Sequence, residues 1–73
     1  MQVDRVQLIV LRGGYSWIQT LSLVFDGSQP VVVLDWQEER PGTTVRLDPS
    51  KLRRRRDGVY MYTAAISDPR PPW

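Results

Sequence analysis

The chain has no cysteine and no histidine, a single lysine, and only four-residue aliphatic runs among its 73 residues. Each shortage excludes something. Without cysteine there can be no disulfide, thiolate nucleophile or thiolate metal ligand, and without histidine no imidazole base or imidazole-ligated zinc. The lone lysine, Lys51, sits in a charged, surface-type stretch rather than the apolar surroundings that activate a catalytic lysine. The runs Leu8–Leu11 and Val31–Leu34 fall short of the roughly 7–15 apolar residues of a signal peptide and the roughly 20 of a membrane-spanning helix.

Catalytic templates fail in the same way. The glycines match neither a P-loop nor a dinucleotide-binding fingerprint. Glu38 and Glu39 are adjacent, so in an extended segment they point to opposite faces and cannot flank one bond. The scattered acids have no loop spacing for an oxygen-only metal site. No enzyme, no cofactor and no metal is expected. The missing cysteines and apolar spans agree with a cytoplasmic protein that does not engage a membrane.

What is present points to an all-β fold. Val3–Arg12 and Tyr15–Phe25 are rich in β-branched and aromatic residues and flank Gly13-Gly14, which supplies the two positive-φ positions of a type I′ turn. Counting outward pairs Arg12 with Tyr15, Val10 with Trp17, Leu8 with Gln19 and Val6 with Leu21. Side chains alternate along a strand. One face therefore gathers Val6, Leu8, Val10, Trp17, Leu21, Leu23 and Phe25 as the core. The other carries Arg5, Gln7, Ser16, Thr20 and Ser22, interrupted by Ile9, Leu11, Ile18 and Val24.

Asp26-Gly27-Ser28-Gln29-Pro30 reads as a turn into a third strand from Val31 to about Gln37, whose three valines suggest burial on both faces. Trp36 shares a face with Val32 and Leu34. Arg40-Pro41-Gly42-Thr43 has the pattern of a type II turn into a short strand, Thr43–Leu47. Residues 49–56 read either as a short helix capped by Asp48 or as one helical turn at Pro49–Leu52 followed by an extended arm; repulsion among four arginines favours the second. Asp57-Gly58 then turns the arm into a strand at Val59–Ile66, setting Arg55 opposite Tyr60 and Arg53 opposite Tyr62. The fold expected is one antiparallel domain over residues 1–66, about five strands in meander order, closed into a small barrel or a two-layer sandwich. A proline-rich tail, 67–73, follows.

Charge is uneven although the net value is only +2. Arg40, Arg46, Lys51 and Arg53–Arg56, against Asp48, leave residues 40–56 at +6, while the flanking segments are acidic. Arg53, Arg54, Arg55 and Arg56 with Tyr60 and Tyr62 form a candidate nucleic-acid platform of alternating cations and rings. The competing account makes them a solvated edge that deters pairing with other chains. Ile9, Leu11, Ile18 and Val24 form a candidate protein interface if contiguous, and Trp73, after Pro71-Pro72, is either docked or an anchor for another molecule.

The function expected is therefore a small non-enzymatic interaction module with a protein partner or a second copy of itself. A nucleic-acid-binding barrel and an accessory structural protein of a larger assembly are the alternatives.

Overall fold

A computed structural model describes residues 3–34 and 44–68. They form one six-stranded mixed sheet in the order β4-β3-β2-β1-β6-β5. The strands are β1 (Asp4–Arg12), β2 (Tyr15–Asp26), β3 (Gln29–Val33), β4 (Thr44–Arg46), β5 (Leu52–Arg54) and β6 (Tyr60–Ser67). A 3₁₀ turn at Pro49–Lys51 precedes β5. The Asp35–Thr43 expectations (the end of the third strand, Trp36, Glu38-Glu39 and the type II turn) lie outside the described residues. So does the tail from Pro69 to Trp73.

The β1–β2 hairpin has the register counted from Gly13-Gly14, from Arg12↔Tyr15 to Asp4↔Leu23. Both glycines have positive φ, +56° and +85°, as a type I′ turn requires. The second hairpin, β2–β3, closes through Gly27-Ser28, with Asp26 opposite Gln29. Only Gly27 has positive φ there, which is the type II′ arrangement.

The core lies on one face. Val6, Leu8 and Val10 of β1 meet Leu21 and Leu23 of β2, Val32 of β3, and Leu34 and Leu47 beyond the strand ends, all essentially inaccessible. Burying each such side chain contributes roughly 1.5–3 kcal/mol. Trp17, Val45, Leu52, Tyr60, Tyr62 and Ile66 pack around this cluster, partly buried. Val31 and Val32 are buried and Val33 half-buried, as a run flanked on both faces should be. Over Val31, the Arg46–Asp26 ion pair (3.8 Å) crosses β3 on the outer face. Phe25 shares the core face but is 43% exposed, because β2 runs past the start of β1 there.

Several expectations are corrected. The sheet is mixed rather than antiparallel: β6 leaves the meander and pairs in parallel with β1, from Val6↔Tyr60 to Leu11↔Ser67. Among the described residues there are six strands, and their sheet is open rather than closed into a barrel or doubled into a sandwich. A five-residue link, 47–51, carries the chain between the two edges. Its Leu47 N–H donates to Pro30 O (2.9 Å) and its Asp48 N–H to the Tyr62 hydroxyl (2.9 Å). Asp48 also accepts from Ser50 N–H at 3.0 Å as the expected cap.

The β5–β6 register differs from the expectation by one residue. Leu52 faces Tyr62, Arg53 faces Met61 and Arg54 faces Tyr60. A two-residue type I′ turn would force Asp57 to positive φ, and only Gly58 has it, at +89°. The chain instead makes a longer turn, with Gly58 N–H on Arg55 O (3.1 Å) and Arg55 N–H on Val59 O (2.9 Å). This is a type I turn followed by a glycine bulge. β6 also outruns its expected end at Ile66, through Ser67, and Asp68 N–H donates to Leu11 O at 2.8 Å.

Candidate functional site

The outer face of β2-β1-β6 collects the sheet's most exposed aliphatic side chains. Ile9 and Ile18 are directly opposed across β1 and β2 and are 42% and 71% exposed. Leu11, two residues along β1, is 44% exposed, and Ala65 of β6 sits beside Ile9 in register. Four of these residues are thus contiguous: Ile18, Ile9, Leu11 and Ala65. Val24 does not join them. Thr20 and Ser22 separate it from Ile18, and it pairs with Val31 at the other end of the face.

Next to this patch the parallel ladder is irregular. Between Gln7↔Met61 and Ile9↔Ala65, β1 has one residue (Leu8) and β6 has three (Tyr62, Thr63, Ala64). Beside this irregularity lies a depression of about 150 Å³ lined by Gln7, Leu8, Ile9, Ile18, Met61 and Tyr62.

The four arginines do not form one surface. Strand alternation puts Arg53 on the outer face and Arg54 on the core face. Arg53 donates to Ser50 O and Leu52 O, each at 3.1 Å. Arg54 lies over the Tyr60 ring, 5.9 Å from its centroid, and Tyr60 makes a tilted contact with Phe25 at 5.8 Å. Arg55 pairs with Asp57 and reaches back over β6 to Gln7 Oε1 (3.3 Å). Arg56 is exposed in the turn. Tyr62 is occupied as well, half-buried against the core with its hydroxyl accepting from Asp48. Of the expected platform only Arg54 and Tyr60 come together, with Phe25, expected in the core, beside them.

Electrostatics at the turn are local. Hydrogen bonding from Arg55, and then from Val59 N–H, lowers the Asp57 carboxyl to about 2. The same pairing raises Arg55. Asp48 is lowered by its Ser50 hydrogen bonds. On the outer face of the strands, Arg5, Arg46 and Arg53 face Asp26 alone, and Asp26 already meets Arg46. The described part of that face has a surplus of positive charge around an apolar centre. No group of three or more acidic side chains is placed to hold a metal among the described residues, and none of their helices is long and apolar enough to cross a membrane.

One feature of this surface carries no motif in the sequence. β6 pairs with β5 only at Tyr60–Tyr62, so its outward edge from Thr63 to Ser67 has no strand beside it among the described residues. The available signal was a small, uncharged stretch, Thr63-Ala64-Ala65-Ile66-Ser67, next to arginine-rich β5. Comparison of the chain with protein-family models, curated proteins and solved structures finds no match.

Proposed function

We propose that this protein is a non-enzymatic protein-interaction module whose contact surface is the outer face of β2-β1-β6. The observation that carries the proposal is the Ile9–Ile18 pair: two opposed isoleucines at the centre of a sheet, one partly and one largely exposed. Apolar groups exposed as a contiguous patch mark contact surfaces more often than isolated ones do. Leu11, Ala65 and the adjoining depression extend that patch. The surrounding cations favour a partner with carboxylates rather than a second copy with the same surplus.

The test compares capture of binding proteins by the wild-type chain and by a folded Ile18→Asp variant. A protein retained by the wild type and lost with Ile18→Asp supports the proposal; equal retention by both overturns it. Light scattering of the purified chain at high concentration should show a monomer. A dimer abolished by Ile18→Asp would make the occupant a second copy.

Nucleic-acid binding is a second proposal, favoured by one contact, Arg54 over the Tyr60 ring beside Phe25. Salt-dependent binding of a single-stranded oligonucleotide, weakened by Arg54→Ser, would support it. Undetectable binding at low salt removes it.

A further inference from the structure

We infer that the outward edge of β6 at Thr63–Ser67 receives an extended, acidic segment of a protein partner as an added strand. The inference rests on the protein-interaction proposal and specifies how the partner docks.

Backbone polarity comes first. Asp68 N–H donates to Leu11 O, so even-numbered residues at this end of β6 turn their N–H and C=O toward β1. By alternation, Ala65 and Ser67 turn theirs outward. No strand stands beside them among the described residues. Two donors and two acceptors, spaced as a ladder requires, thus line the lane that β5 vacates.

The protection of the sheet edges differs in a telling way. β4 and β5 are three-residue strands bearing Arg46 and Arg53-Arg54. Short length and charge are the usual means of discouraging strand addition. Thr63–Ser67 has neither charge nor proline, and its side chains are small apart from Ile66. An edge with no strand beside it among the described residues, continuous with the Ile9–Ala65 patch, is the arrangement of strand-addition recognition, in which main-chain bonds give affinity and alternate side chains give specificity.

Charge selects the class of partner. The lane begins where β5 starts, beside Lys51 and Arg53, and Thr63 Oγ1 donates to Lys51 O at 3.1 Å. A segment entering there meets Lys51 and Arg53 against the single Asp48 carboxylate, which Ser50 already engages, and its side chains on the outer face run toward Ala65 and Ile9. Carboxylates near the Lys51–Arg53 end and apolar side chains beside Ala65 complement that surface.

The test uses the whole chain and three synthetic probes: a valine–glutamate peptide with its glutamates clustered at the end that meets Lys51 and Arg53 and its valines at the end beside Ala65, its valine–lysine counterpart, and the valine–glutamate peptide N-methylated at alternate residues. N-methylation removes the main-chain donors on one edge while keeping the side chains. The expected result is that valine–glutamate binds and that N-methylation or Ala65→Pro weakens it at least about tenfold. The lysine peptide should be weaker by a similar factor. Ala65→Pro removes an outward N–H and exchanges the Ala65 methyl for a ring, at an edge position where a strand tolerates proline. The N-methylated peptide makes the same test on the unaltered protein.

Equal binding of methylated and unmethylated peptides, or no binding of either, overturns strand addition. Equal binding of the glutamate and lysine peptides overturns the acidic partner. The outer-face proposal is judged separately with Ile18→Asp, two strands from the edge. If binding survives N-methylation but is lost with Ile18→Asp, that proposal stands and strand addition falls. If binding is lost with Ala65→Pro and unchanged by Ile18→Asp, the edge stands and the outer face does not.

Discussion

Replacing Leu23 with alanine, and separately Ile18, tests which face of β2 is the core. Leu23 is inaccessible, lies on the core face of β2, and faces Val32 in register. Removing its branched end costs both the transfer energy and the cavity left behind, about 3 kcal/mol for a buried leucine. Ile18 lies on the same strand but is 71% exposed. Its replacement loses little beyond strand preference, within about 1 kcal/mol. A chain of this size has roughly 4–11 kcal/mol of stability in total, so the Leu23→Ala loss is a large fraction. With a urea slope of about 1 kcal/mol/M, the unfolding midpoint should fall by about 3 M. In thermal unfolding the same loss corresponds to a drop of roughly 12–24 °C. Urea titration followed by tryptophan fluorescence reads both variants directly. Equal losses, or a larger loss for Ile18→Ala, would refute the assignment, because a one-residue slip exchanges every side chain between the two faces.

Gly58→Val should destabilise by about 1–2 kcal/mol, since φ +89° is a backbone region that side chains rarely adopt; Gly58→Asn should be milder, and denaturant midpoints separate the two. Stability should also depend on pH through Asp57. Its folded value lies below the ordinary 3.8, at about 2. The carboxylate's contribution is therefore full above about pH 4 and is lost as pH falls toward 2. Urea titrations between these limits should show a shallower acid loss for Asp57→Asn, and an identical slope would show that the Arg55 pairing adds nothing. Tyr62→Phe, which removes the acceptor for Asp48 N–H, should lower stability by about 0.5–1.5 kcal/mol; no change would mean water replaces the hydroxyl.

The hairpins were legible to different degrees, for physical reasons. Gly13-Gly14 fixes a two-residue turn, and every β1–β2 pair follows by counting. At Asp57-Gly58 the same counting misses by one, because an aspartate can keep negative φ and cap the turn instead. Its carboxylate accepts from Val59 N–H at 3.0 Å and holds Arg55. That single residue moved Arg53 and Arg55 off the tyrosines and dissolved the expected platform.

The parallel β1–β6 pairing had no local signal at all. It joins residues more than fifty positions apart, through no turn whose chemistry could be read. The outer-face candidates fared unevenly for a related reason. Ile9, Leu11 and Ile18 belong to one hairpin and meet as counted, whereas Val24 lies too far along β2 to reach them.

Amide hydrogen exchange along β6, with and without the valine–glutamate peptide, tests the proposed mode of recognition most directly. In the free protein Ile66 and Asp68, whose N–H groups face β1, should be protected, while Ala65 and Ser67 exchange fast. Adding the peptide should slow exchange at Ala65 and Ser67. Protection of Ala65 and Ser67 in the free chain, or no change when the peptide is present, would contradict the account.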